Sequence, residues 1–295
     1  MASTREMRLR IKSVGDLAQV TRALKTVSAS KVRKAMASNA ASLAYSQKAW
    51  QVLTDLAMQP GHTSLHPLLS ERKTIKRVLV IMVSSDKGLA GSYNMNVLKS
   101  TLEHFDTFTQ PVDYVCVGKK GRDLLLRRKI RVIADFSDLN DPVRFMDISP
   151  ISHLVVGDFL SGAYDQVFIS FTRFETMTKQ HTEIRKLLPL EVDSDRGDTE
   201  KRTPTASSVF IYEPEQHEIL DEIIPRFTGM QIFQSVLSSQ ASEHAARTMA
   251  MANATDNANA LVNVLTLEYN KVRQQTITSE MLDIIGGAAV HNDNL

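Results

Sequence analysis

Cysteine is almost absent from this chain. Cys116 stands alone among 295 residues, which excludes an internal disulfide and fits a reducing compartment. Long apolar runs are missing too. None approaches the roughly 18 residues that a membrane-spanning helix needs. The first residues, MASTREMRLR, lack the apolar core of a secretory signal and are expected to be mature sequence rather than a transit peptide. A large charge excess is also lacking: the net charge of +2 argues against a strongly basic nucleic-acid binder. Most informative is where glycine and proline do not occur. Neither appears from Asp16 to Gln59, nor from Met230 to Ile285. These two residues break helices most strongly. Each stretch therefore reads as one unbroken helix, roughly 65–85 Å long, longer than a compact domain of this size. The expected fold folds the chain back as a long antiparallel helical pair with a compact part in between.

What is present refines that picture. Residues 1–58 carry ten Lys or Arg against Glu6, Asp16 and Asp55, a net of +7, whereas residues 215–295 carry four basic against ten acidic residues, a net of −6. If the two ends pair, they attract; exposed pairs contribute little each, so the asymmetry orients the partners and leaves a positive face on the first helix for an acidic partner. Met7, Ile11, Val14, Leu17, Leu24, Val27 and Val32 recur at three- and four-residue spacing, close to a coiled-coil seam. On the last helix Phe233, Val236 or Leu237, Ala241, Leu261, Val264 or Leu265, Val272, Ile277, Met281 and Ile284 continue one. Small residues dominate between Ala241 and Ala260. They suit a close helix approach, a helix turning in a tight sleeve, or simply high alanine propensity.

The organisation expected is a helix over 1–60, an α/β domain over 74–213 and a second long helix over 214–295. Pro60-Gly61 stops the first helix. Val78–Val83 is a short continuous apolar run, as in a strand buried on both faces. Strands are also expected over 112–117, 130–134, 167–171, 184–190 and 209–212, with helices over 93–108, 118–129 and, after Pro150, 151–160. That alternation implies a largely parallel sheet. Residues 191–208 read as a charged surface loop. Pro225 and Gly229 are expected to make the first turns of the last helix irregular.

No catalytic set, cofactor site or metal site emerges. His62 and His66 read as solvent-exposed loop residues without a second ligand at helical or hairpin spacing. Cys116 reads as a small apolar residue in a buried strand. The segment Ser85-Asp86-Lys87-Gly88-Leu89-Ala90-Gly91-Ser92-Tyr93-Asn94 follows a buried strand and opens a helix, a position that suits a phosphate cradle. It matches neither G-x-G-x-x-G nor G-x-x-x-x-G-K-[ST], and the plainer alternative is a tight turn with Ser92 as N-cap. Lys31-Val32-Arg33-Lys34 is a solvated helix face, a dock for acidic protein, or a phosphate contact.

At this point whole segments become recognisable. RIKSVGDLAQVTRALKTVSASKVRKA (10–35), SDKGLAGSYN (85–94), SEHAARTMAMANATDNANAL (242–261) and TLEYNKVRQQTITSEMLDIIGGAAV (266–290) resemble, in family order, the γ subunit of F-type ATP synthases. The resemblance covers essentially the whole chain. It implies an antiparallel coiled coil plus a small Rossmann-like α/β domain, and a central rotor shaft that couples proton-driven rotation of a membrane c ring to ATP synthesis or hydrolysis at β-subunit sites. The shaft itself would perform no bond chemistry. Implied partners are the α and β subunits, the ε subunit and the c ring, with the membrane met only through that ring, at the cytoplasmic face of a bacterial inner membrane. Residue by residue, the resemblance implies that Leu24 lies near β lever loops, where the family often has methionine. It implies that Arg8, Arg10, Lys12, Arg22 and Lys25 offer cations to acidic β loops. Arg273, Gln274, Thr278 and Glu280 match the catch, Ile284 to Val290 the tip held in an upper bearing, and Phe210, Tyr212 and Glu213 the foot on the c ring. Lys87 replaces the family's usual arginine and Ala90 its cysteine; lysine cannot make arginine's bidentate contact, which weakens any such contact to β. An inserted cysteine pair, as in the light-regulated plant form, is absent, so thiol control is excluded. The alternatives to a rotor are a coiled-coil scaffold or a nucleic-acid-binding protein.

Overall fold

The computed structural model describes residues 4–57, 66–70, 72, 74–190 and 216–292, apart from the side chains of 44–46, 50–57, 216–221 and 286–292. Its elements in chain order are α1 (Thr4–Ala57), β1 (Val78–Val83), α2 (Tyr93–Phe105), β2 (Val112–Val117), α3 (Lys119–Arg127), β3 (Val132–Phe136), α4 (Phe145–Leu160), β4 (Gln166–Phe174), β5 (Gln180–Leu188) and α5 (Gln216–Asn292). Contacts group them into two units, Met1–Ser28 with Thr248–Leu295, and Ala29–Arg247. The expected stop at Pro60-Gly61, His62, the 191–208 loop and the 209–212 strand lie outside the described residues.

In the unit Ala29–Arg247 the sheet runs β3-β2-β1-β4-β5, with the first four strands parallel and β5 antiparallel to β4. The apolar run of β1 is explained by two cores. Leu79, Ile81 and Val83 face α4 and α5 residues such as Ile148, Phe159, Phe233 and Leu237. Val78, Val80 and Met82 face α2 and α3 through Val97, Leu98, Phe105 and Leu125. Successive strand residues point to opposite faces, so a strand covered on both sides needs apolar residues throughout. Cys116 is fully buried there, and burial pushes its thiol up to about 12.

Between β2 and α3 the chain turns so tightly that only glycine fits. Gly118 has φ 100°, and a β-carbon on it would overlap the Ser84 carbonyl. The Ser84 hydroxyl meanwhile donates within reach of both Val117 O (3.0 Å) and Gly118 O (3.1 Å) and accepts from Gly121 N. Gly118→Ala is therefore expected to destabilise the chain by about 3 kcal/mol, from left-handed strain plus overlap with backbone; urea unfolding measures it.

Several element boundaries differ from the sequence reading. α4 begins at Phe145, not after Pro150, which lies inside it. Asp147 secures the first turn by accepting from Arg144 N at 2.8 Å. Proline there removes one helical hydrogen bond, and the residue that would have accepted it, Met146, is exposed. β5 starts at Gln180 rather than at residue 184, because its polar residues pair through backbone with Phe174 to Phe171. β3 starts at Val132 rather than at residue 130, because Ile130 N still caps α3 on Leu125 O and Lys129 turns left-handed at φ 59°. α5 is helical through Pro225 and Gly229. Gly229 lets it approach α4, where an added β-carbon would come 3.0 Å from Ser152 Oγ. His66 is buried, not exposed: its Nδ1 accepts from Leu68 N at 3.1 Å and closes a turn that buries Leu68.

In the unit of Met1–Ser28 and Thr248–Leu295, α1 and α5 form an antiparallel coiled coil along part of the expected seam: Met7, Ile11, Val14, Leu265 and Val272 lie on it, while other expected members do not. Met7, Ala18, Thr21 and Ser28 are buried with Ile11 and Val14 half-buried between them; four- and three-residue steps alternate from Met7 to Thr21, and one seven-residue step leads to Ser28. On α5 the same alternation runs Thr248, Met251, Thr255, Ala258, Val262, Leu265, Tyr269 and Val272. Small and hydroxyl residues hold the centre, and Thr21 Oγ1 bonds Thr255 Oγ1 at 2.8 Å. Leu17 (56% exposed) and Val27 (53%) point outward instead, as do Leu261, Val264, Ile277, Met281 and Ile284. The sequence reading took these large residues for the seam because it weighted apolar size. The close approach of the helices excludes them.

Candidate partner interface

The outward residues of α1 form a second seam. Leu17, Val20 and Val27 are each more than half exposed and Leu24 is half-buried. Their three- and four-residue spacing makes one stripe along the helix. Basic residues flank it: Arg8, Lys12, Arg22 and Lys25 are exposed, as is Arg10, which pairs with Glu6 at 2.6 Å. Arg8, Lys12 and Arg22 share a face at about 100° per residue. The helix thus buries one apolar stripe and exposes another.

The Thr21–Thr255 bond fixes the register of the pair. Counting back along both helices brings Thr4 level with Val272. Burial agrees: Val272 is half-buried, while every residue from Arg273 to Ile285 is exposed. The stretch that holds Arg273, Gln274, Thr278 and Glu280 is thus a single helix among the described residues, about 20 Å long. It carries its own apolar stripe in Ile277, Met281, Ile284 and Ile285.

In the other unit, the Ser85–Asn94 segment is a closed turn. Ser85 N donates to Asn94 Oδ1 at 3.0 Å, and Ser85 Oγ donates to Lys87 O at 2.7 Å. Arg247 of α5 reaches Lys87 O and Gly88 O, each at 3.2 Å. Ala90 is buried, and the Lys87 side chain is exposed. Ser92 precedes α2 but makes no side-chain cap; its hydroxyl accepts from Asn96 instead. Asp86 takes the position where a phosphate would sit at α3: its carboxylate accepts from Lys119 N and Asp138 N, both at 3.0 Å. An anion already held at that helix start repels a second one.

Open α/β sheets bind ligands at the carboxyl ends of the strands where the order reverses, here between β1 and β4. α5 fills that crevice. Ser239 Oγ accepts from Thr172 N (3.1 Å) and bonds the Tyr93 hydroxyl (3.0 Å), Ser238 Oγ accepts from Phe174 N (3.0 Å), and Ser242 Oγ donates to Thr172 O (3.2 Å). Beside them a cavity of about 30 Å³ remains, lined by residues including Ser84, Asp86, Gln240 and Glu243, room for about one water. A nucleotide would have to displace α5. Among the described residues no group of three His, Cys, Asp or Glu could hold a metal, and no helix is long and apolar enough to cross a membrane.

Sequence reasoning missed the polar residues that lock this unit: Asp141, Gln240, Glu243, His244 and Arg247. The available signal was His244, which falls on the three-four alternation that Leu237 and Ala241 begin. Of the residues named from sequence, Phe210, Tyr212 and Glu213 lie outside the described residues.

An antiparallel helical pair in one unit, and in the other an α/β body whose crevice is closed by the chain's own helix, define the fold class: a coiled coil plus a Rossmann-like α/β domain. The family model described as ATP synthase matches residues 3–290. The chain is 41% identical over 293 residues to the ATP synthase gamma chain of Dehalococcoides mccartyi, covering 98% of this chain and 99% of that one. It is 40% identical over 292 residues to that of Roseiflexus castenholzii, covering 98% of each. In fold it is similar to a chain of the Euglena gracilis mitochondrial ATP synthase OSCP/F1/c-ring structure (TM-score 0.66, 18% identity, 97% of this chain and 94% of that one). It is likewise similar to a chain of the Tetrahymena thermophila mitochondrial central stalk/c-ring structure (TM-score 0.60, 21% identity, 80% and 99%). The chain belongs to the ATP synthase gamma-chain family.

Proposed function

We propose that this chain is the central rotor of an ATP synthase, itself without bond chemistry, and that it couples proton-driven rotation of a c ring to conformational change at β-subunit catalytic sites. The observation that carries this reading is the second apolar seam of α1, Leu17, Val20, Leu24 and Val27, exposed on a helix whose first seam is already paired. α and β subunits surround the helical pair in this proposal, with acidic β loops meeting Arg8, Arg10, Lys12, Arg22 and Lys25, and other β elements meeting Lys87, Arg273, Gln274, Thr278 and Glu280. The ε subunit and the c ring lie at the opposite end, the latter against Phe210, Tyr212 and Glu213. The chain then sits peripherally at the cytoplasmic face of a bacterial membrane, held there by the ring.

The mechanism follows from symmetry. Three identical catalytic sites around one asymmetric shaft meet three different surfaces, and each is biased toward a different conformation. Rotation exchanges the surfaces. The filled crevice supports a non-catalytic role, because the one position where this fold would take a nucleotide is occupied by α5 serines. The test is reconstitution. The isolated chain is expected to give no calorimetric signal with ATP at millimolar concentration, and ATP hydrolysis by mixed α and β subunits is expected to rise when it is added. ATP binding by the chain alone would overturn the reading.

A further inference from the structure

Within the unit Ala29–Arg247, a continuous set of polar contacts ties α1 and α5 to the α/β body, and one carboxylate lies at its centre. Lys31 Nζ of α1 donates to Asp141 Oδ2 at 2.6 Å, and His244 Nε2 of α5 lies 3.0 Å from Asp141 Oδ1. His244 Nδ1 lies 3.2 Å from Arg247 Nη1. A guanidinium only donates, so Nδ1 is the acceptor and Nε2 carries the proton toward Asp141. Gln240 pins the backbone on both sides of Asp141, donating to Asn140 O at 2.9 Å and accepting from Val143 N at 3.0 Å. Arg247 continues the set to Glu243 (2.6 Å), Lys87 O and Gly88 O.

We propose that Asp141 is a positioning residue that fixes the rotational setting of α1 and α5 where, within this unit, they pack on the α/β body, so that twisting of either helix there is resisted through the 140–143 loop. This inference rests on the rotor reading. Apolar contacts resist separation but are not directional, so the buried Val32 and Ala35 of α1 do not by themselves stop the helix from twisting or sliding in place. Hydrogen bonds are directional, and a carboxylate shared between a lysine of α1 and a histidine of α5 sets both helices against one loop. Burial alone would disfavour the charge on Asp141, but the bonds from His244 and Lys31 outweigh it and hold the carboxyl well below the ordinary range. The Lys31–Asp141 pair is partly exposed, 36% and 28% by side chain. Such pairs add little to stability, so losing this one leaves the chain folded and isolates its mechanical role.

The test is torsional stiffness in the assembled complex. A bead on the α/β body of the chain, bound in an immobilised α and β complex, reports angular variance during catalytic pauses. Asp141→Ala is expected to raise that variance about twofold, as when one of two directional links in parallel is lost. Lys31→Gln should raise it less, and Lys31→Arg should leave it unchanged. Equal variance in Asp141→Ala and wild type overturns the proposal, as does a rise in Asp141→Ala with none in Lys31→Gln, since the path into α1 would then be missing. Should Asp141→Ala fail to assemble, Asp141→Asn keeps the loop packing and the His244 contact while removing the charge, and its variance decides. A wild-type bead that does not rotate under ATP would sink the rotor reading instead.

Discussion

Replacing Leu17, Val20 and Val27 together by glutamate is expected to weaken co-assembly with α and β subunits roughly a hundredfold while leaving the chain folded. Each of these side chains is already more than half exposed, so glutamate there costs the helical pair little. Burying the remaining apolar surface of each against a partner is worth about 1 kcal/mol, and three together about 3 kcal/mol, or two decades in Kd. Glutamate also puts negative charge beside the cations Arg22 and Lys25, which cancels the attraction to acidic loops proposed for them. Circular dichroism should show unchanged helicity and a thermal midpoint within a few degrees. Co-sedimentation with α and β subunits should show the loss. Unchanged assembly would mean that the outward stripe is not gripped.

The second large effect is expected at Arg247. Its guanidinium pairs with Glu243 at 2.6 Å, and both side chains are about nine-tenths buried. Removing one partner of a buried pair typically costs about 3–5 kcal/mol because the other charge is left without compensation. Arg247→Ala should therefore lower the urea midpoint sharply, and Glu243→Gln should restore part of the loss when added to it. The cost should depend on pH. Burial raises the folded pKa of Glu243, with Arg247 opposing the rise. An acid whose folded pKa is raised stabilises the fold while protonated, below its unfolded pKa near 4.3, and that contribution is lost as pH rises through the folded pKa. Without Arg247 the folded pKa rises further. The gap between wild type and variant should thus be small at pH 4 and widen toward pH 8. A gap independent of pH would mean that Glu243 stays charged without its partner.

The readings that held were those carried by composition and short-range pattern. A continuous apolar run at β1, alternating strands and helices, and breaker-free ends are local properties; β1 and β2 appear where expected, and the starts of β3, β5 and α4 shift by two to six residues. The seam was only partly legible, at Met7, Ile11, Val14, Leu265 and Val272, for a physical reason. Periodicity rewards large apolar side chains, whereas Ala18, Thr21 and Ser28 were selected by helix separation, a quantity that exists only once α5 is in place. The expected helix began only after Pro150, yet α4 runs through it, because one lost hydrogen bond to the exposed Met146 is tolerable. The Asp141 network was invisible because its partners lie about a hundred residues apart along the chain, and nothing local distinguishes them from solvated polar residues. Lys87 shows the same limit from the other side. The motif located its loop, but the anchoring of that loop by Arg247 came only with the fold.

The end of the helical pair at Val272 has a consequence for how the molecule bends. Two rods bonded along their length resist flexure more than twice as strongly as one, because each lies away from the shared neutral axis. Below Val272 the Thr21–Thr255 register bonds the rods; from Arg273 to Ile285, among the described residues, one helix carries any lateral load. Bending therefore concentrates in that final stretch, while the paired length beneath it stays stiffer.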